Sequence, residues 1–126
     1  MAKVKGDVLK DPILKRIVEI IVKELDPDKI ILFGSRVRGD YNEHSDYDIL
    51  VLKRDVKPEE RRKLEGMLMI KLLENRIFKY ANVDLIVQSP ERFSQLKDLP
   101  FLVYSDIFKE GVVVYDGEKR RSKKMA

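Results

Sequence analysis

Two aspartates stand one residue apart in DYDILVL, as Asp46 and Asp48. A strand turns successive side chains to opposite faces, so these two project to the same side, with Cα atoms roughly 6.5–7 Å apart. Carboxylates aimed together repel unless a cation lies between them, and hard oxygen ligands suit Mg²⁺ or Mn²⁺. Asp84 is the third element, because it interrupts the apolar run Val83, Leu85, Ile86, Val87. A buried carboxylate without a partner costs several kcal/mol or shifts its pKa, so a residue there calls for a cation or an ion pair. If the strand of Asp84 pairs beside that of Asp48, the two lie roughly 5 Å apart across the ladder. Three converging carboxylates can hold two metal ions for in-line attack on a phosphorus centre. Each has a plainer reading: Asp46 after Ser45 as a turn or cap residue, Asp84 as half of an ion pair. Their placement on neighbouring strands favours metal.

Upstream lies GSRVRG, residues 34–39. Gly34 and Ser35 end an apolar stretch and open a turn or short helix, where backbone N–H groups and a hydroxyl can hold a phosphate. Glycine permits both close backbone approach and positive φ. No Gly-Lys-Ser/Thr follows, so this is not a Walker A loop. Arg36 and Arg38 read either as donors to phosphate or as solvated loop charges. His44, the only histidine, sits in the polar loop YNEHS and reads as a solvated residue.

The elements that must position these groups follow from pattern. Asp11-Pro12 is a helix start, with Asp as N-cap and Pro at the first position. Ile13, Ile17, Ile20, Ile21 and Leu25 follow at helical spacing until Asp26-Pro27 stops the run. KIILF (29–33), DYDILVL (46–52) and NVDLIVQ (82–88) read as strands, with a long amphipathic helix from Pro58 to about Phe78 on Leu64, Met67, Leu68, Leu72 and Ile77. Pro90 and Pro100 open two further helical pieces, the second running through Phe108, and Gly111 is a C-cap candidate. VVVYDG (112–117) is a last short strand and turn. The order α-β-β-α-β-α-α-β predicts an α/β sandwich. Only a short loop joins the first two strands, so a mixed sheet with an antiparallel pair is expected.

The chain of 126 residues fits one domain. It has no cysteine, which excludes disulfides and zinc–thiolate sites. No apolar run approaches the ~18 residues of a membrane span, and MAKVKGDVLK lacks the apolar stretch of a secretory signal; a cytoplasmic protein is expected. The net charge is +4. Setting aside the five basic residues and one acidic residue of GEKRRSKKMA leaves 21 of each sign. The basic character therefore belongs to the end of the chain. Residues 1–117 are expected to form the domain and 118–126 a basic, flexible tail, with nucleic-acid contact the less favoured role for it.

Gly34-Ser35, ten residues, Asp46-Tyr47-Asp48, and Asp84 on a later strand together resemble the nucleotidyltransferase pattern of the DNA polymerase β-like superfamily. GSRVRG is similar to the GSRARG form of its smallest members, the minimal nucleotidyltransferases; Val37 stands where Ala is usual. The resemblance implies a nucleotidyltransferase fold, a mixed sheet flanked by helices. It implies Asp46, Asp48 and Asp84 as ligands of two Mg²⁺ ions, Asp84 also helping to deprotonate the attacking hydroxyl. Gly34 and Ser35, with Arg36 or Arg38, would contact the β- and γ-phosphates of an NTP, expected to be ATP. The product would be a nucleoside monophosphate ester, with pyrophosphate released. Since 126 residues leave no room for an acceptor-holding domain, the acceptor is expected to be small or part of a partner protein. Minimal members often act as antitoxins of HEPN toxins, which points to such a toxin as partner and to LPFLVYSDIF (99–108) as a docking surface or as core. The alternatives are a non-catalytic binding module and a nucleotidyltransferase acting on RNA or a small molecule.

Overall fold

The computed structural model describes residues 6–39, 42 and 45–125. After a short helix α1 (Gly6–Leu9), Asp11 caps helix α2 (Pro12–Leu25) by accepting the N–H groups of Ile13 and Leu14 at 2.9 and 3.2 Å. These are donors that a helix start leaves without intrahelical partners. Strand β1 (Lys29–Phe33) runs through Gly34 into a single helical turn, α3 (Ser35–Arg38). Strand β2 (Tyr47–Leu52) then returns antiparallel to β1, with Phe33 opposite Asp48. Helix α4 (Arg61–Glu74) follows a 3₁₀ turn at Pro58–Glu60, and a second such turn at Ile77–Lys79 leads to β3 (Val83–Gln88). A parallel pairing requires a crossover of this length, and β3 indeed lies parallel to β2. Helices α5 (Pro90–Leu96) and α6 (Val103–Glu110) precede β4 (Val112–Asp116), which joins β1 antiparallel. Helix α7 (Gly117–Met125) ends the described chain. The sheet order is β3-β2-β1-β4, mixed as expected, with the antiparallel pair where the short loop placed it.

Alternation along the strands divides the core in two. Ile30, Leu32, Tyr47, Ile49, Val51, Val83 and Val87 face α2 and α4, whose Ile17, Ile21, Leu68 and Leu72 are fully buried against them. Ile31, Leu50 and Leu52 face the other way, toward Phe93 of α5 and Tyr104 and Ile107 of α6. Both sheet faces are therefore covered, which is why these strands read as continuous apolar runs.

One expectation, the long helix after β2, meets a different arrangement. The single helix predicted from Pro58 to Phe78 is broken after Glu74: Asn75 turns its side-chain amide onto the Lys71 carbonyl at 2.7 Å, and Arg76 takes the left-handed conformation with φ 62°. The predicted flexible tail coincides with α7, whose Arg121 reaches back to Asp28 at 2.9 Å. A buried carboxylate at the start of β1 attracts a cation from the chain end, something charge counting along the sequence does not foresee.

Candidate active site

The site lies where β1 ends and β2 begins. Parity decides which side chains meet there: Asp48 shares its face of β2 with Leu50 and Leu52, so it points toward α6. In the parallel ladder Asp84 is its register partner on β3; the sequence placed Asp84 in a buried run, but β3 is the edge strand of the sheet and leaves this carboxylate exposed. Asp46 stands one residue before β2, near enough to add its charge to the pair. Burial first, then the charges of Asp84 and Asp46 and the hydrogen bond to Asp84, push the Asp48 carboxyl up to about 6, while Arg38 pulls in the opposite direction. Like charges held together disfavour one another's ionisation, which a counter-cation would ease. Among the described residues no three such groups close round one point as a ready-made ion site; the contact formed is the Asp48–Asp84 pair. As a donor set these carboxylates fit a hard divalent cation, whose charge would offset their mutual repulsion.

Gly34 forms the roof. Its φ of 81° and ψ of −155° lie in a region open almost exclusively to glycine. A Cβ built there would run into the Asp48 carboxylate. Two independent constraints thus demand glycine, and together they bring a bare backbone over the carboxylate pair. Ser35 and Arg38 join Phe33, Gly34 and Asp48 in lining a cleft of about 260 Å³, closed on its far side by Val103, Asp106 and Glu110 of α6. That volume is at the lower edge of the ~300–1,000 Å³ usual for small-molecule sites. Arg38 and Glu110 bridge its rim at 3.9 Å, both half-exposed.

Arg36 is placed otherwise than a phosphate donor would be. Its Nε and Nη2 donate to the Ser45 carbonyl at 3.1 and 2.9 Å. Its guanidinium lies 3.9 Å over the Tyr47 ring, and Nη1 approaches Asp11 at 3.9 Å. Tyr47, between the two aspartates, faces the opposite side of β2 and donates its hydroxyl to Asp11 Oδ2 at 2.6 Å. Asp11 therefore caps α2 with one oxygen and anchors Tyr47 with the other. The chain Asp11–Tyr47–Arg36–Ser45 fixes the backbone on either side of Asp46 from behind. Strand alternation gave a signal for Tyr47, which had to face away from its neighbours. The part played by Asp11, and that of Asp106 and Glu110, come from distant segments that no local spacing reveals. His44 falls outside the described residues.

The segment 99–108 divides between the two roles foreseen for it. Tyr104, Ser105 and Ile107 are buried, whereas Phe101 is 80 % exposed and Leu99 and Val103 are partly so. Val103 places this apolar lip at the mouth of the cleft.

Residues 15–120 match the family described as polymerase beta nucleotidyltransferase. A candidate protein adenylyltransferase of Methanocaldococcus jannaschii is 39 % identical over 88 residues, 69 % of this chain and 77 % of that protein. A candidate nucleotidyltransferase of Sulfolobus solfataricus, known from its crystal structure, superposes with a TM-score of 0.58 at 26 % identity, over 90 % of this chain and 84 % of the other. A chain of a toxin–antitoxin complex crystallised with AMP-PNP shares the fold, with a TM-score of 0.52 at 22 % identity over 81 % of this chain and 72 % of its own.

Proposed function

The chain belongs to the polymerase β-type nucleotidyltransferases, in their minimal form, and from that membership we propose that it moves AMP from ATP onto a hydroxyl of a partner protein, as the antitoxin of a toxin–antitoxin pair. The observation that carries the chemistry is Asp48 facing Asp84 across β2 and β3, under the bare backbone of Gly34. Asp46, Asp48 and Asp84 are the residues that would hold Mg²⁺. Bound there, Mg²⁺ would neutralise charge on the triphosphate and acidify the acceptor hydroxyl.

The chain's own groups have separate tasks. The Gly34 and Ser35 backbone and the Ser35 hydroxyl receive the β- and γ-phosphates, with Arg38 on the rim of the cleft offsetting their charge. Asp84 takes the proton of the acceptor hydroxyl. The new oxygen–phosphorus bond forms at the α-phosphate as the α–β anhydride bond breaks, and pyrophosphate carries away the electron pair. Arg36 acts behind the site, holding Asp46 through the Ser45 carbonyl.

A protein acceptor is favoured by the name of the M. jannaschii relative and by the apolar lip of Leu99, Phe101 and Val103 beside the cleft. A toxin partner is suggested by the assembly named for the AMP-PNP-bound neighbour. No helix among the described residues is long and apolar enough to cross a membrane. The same lip supports a second reading, a binding module that blocks its partner by covering it.

Incubation with ATP labelled at the α-phosphate, Mg²⁺ and the organism's lysate separates these readings. Transfer is expected to place label on one protein band with wild type and to fall on the order of 10²–10³-fold with Asp48→Asn, as when one preorganised electrostatic group is removed. An Asp48→Asn variant that neutralises the toxin as well as wild type does would exclude transfer as the mode of action and leave the binding module.

A further inference from the structure

Helix α4 carries a face that the fold of one chain does not use. Its inner side buries Leu68 and Leu72. The outer side presents Arg62, Gly66, Ile70 and Leu73, which fall on one stripe at 3.6 residues per turn. Ile70 is 57 % and Leu73 63 % exposed. Gly66 at mid-helix is the third peculiarity. Glycine is the poorest helix former after proline, and a Cβ added at this position would meet nothing within 4 Å. Neither backbone conformation nor packing within the chain requires it.

We propose that this face is the contact of a symmetric dimer, with α4 crossing the α4 of a second copy antiparallel. A two-fold axis at the level of Leu68 pairs each position with its mirror along the helix. Gly66 then lies opposite Ile70 of the second copy, a hollow against a knob. Arg62 lies opposite Glu74, a cation against an anion, and each contact occurs twice, as an isologous interface demands. Leu73 comes to rest on the aliphatic stem of Lys63. Glu74 is at present paired with Lys71 at 3.6 Å in an exposed bridge, the kind that is exchanged at little cost. The register that places the glycine under the isoleucine is the register that matches the charges, and this coincidence selects a second copy over an unrelated partner. The contact spans one helix of 14 residues, less than the ~800 Å² per partner of a standard interface. The dimer is accordingly weak and concentration-dependent.

Sedimentation of the full chain over micromolar to near-millimolar concentration tests this. Wild type passes from monomer to dimer, and Ile70→Asp stays monomeric with an unchanged unfolding midpoint. Arg62→Glu and Glu74→Arg each weaken the dimer roughly tenfold, since two symmetric pairs are reversed at once, and the double variant R62E/E74R restores it. A wild type that is monomeric throughout overturns the proposal, as does a double variant no tighter than the single ones. If wild type stays monomeric and Ile70→Asp instead abolishes capture of a different protein, the face belongs to that protein and the second-copy assignment falls.

Discussion

Asp28 and Asp48 occupy opposite ends of one sheet, and their surroundings could hardly differ more. Asp28, just before β1, is almost wholly buried. It accepts the Arg54 backbone N–H at 2.6 Å, Arg54 Nε at 3.0 Å and Arg121 Nη2 at 2.9 Å. Burial alone would raise its pKa, but these donors outweigh that and leave it below the ordinary carboxylate value. Asp48 is less buried, yet it is raised to about 6 because burial acts together with two further carboxylates. The comparison teaches that the partner set, more than depth of burial, separates a structural carboxylate from a reactive one. At one end every charge is answered within the chain. At the other, carboxylate lies beside carboxylate, an arrangement that the proposed Mg²⁺ would relieve.

The contrast is broken most severely at Gly34. Gly34→Ala pushes a methyl group into the Asp48 carboxylate and forces an alanine into a glycine-only conformation. Nucleotidyl transfer is expected to fall on the order of 10²–10³-fold, with a stability loss of about 1–3 kcal/mol, read by label transfer and urea unfolding. An active Gly34→Ala enzyme would mean the close approach plays no part in catalysis.

Asp28→Ala breaks the opposite end. It leaves two guanidinium groups and the Arg54 N–H without their acceptor, at an expected cost of about 2–3 kcal/mol, below the full penalty for a broken buried pair because Arg54 is half-exposed. Transfer activity at low temperature should be retained. Loss of activity in a folded Asp28→Ala protein would show that the two ends are coupled.

Behind the site, Tyr47→Phe and Arg36→Lys are expected to lower transfer roughly 10–100-fold, the usual effect of removing a group that orients a ligand. The loss should fall on kcat more than on KM for ATP, because Arg36 holds Asp46 rather than phosphate. A rise in KM alone would return Arg36 to the phosphates.

The smallest effect is on pH. A carboxyl with a raised folded pKa binds its proton more tightly in the folded chain. Its contribution is therefore largest below the unfolded value of 3.8 and is lost as pH rises toward about 6. Without divalent cations, wild type should lose ~1 kcal/mol across that window after allowance for solvent screening, and Asp48→Asn should not. Asp28 works with the opposite sign: its stabilisation is present above 3.8 and disappears as pH falls. Unfolding curves at about pH 2, 4 and 6 with both variants distinguish the two ends, the Asp48 loss falling between the upper two and the Asp28 loss between the lower two.

The local code was sufficient for a good part of this protein. Asp11-Pro12 set the start of α2, β-branched runs set the strands, and alternation turned Asp48 and Tyr47 to opposite faces of β2, because capping and strand alternation act within a few residues. Gly34 could be recognised as a turn glycine for the same reason. Other assignments depended on which distant groups came into contact. Only the parallel register of β2 and β3 put Asp84 against Asp48. Only the return of α3 toward Ser45 turned Arg36 from a candidate phosphate donor into a brace for the loop. The burial of Asp28 drew Arg121 inward from a segment that reads as solvated charge. Propensity and spacing are local quantities, whereas the partner of a charge is settled by the fold that brings it there.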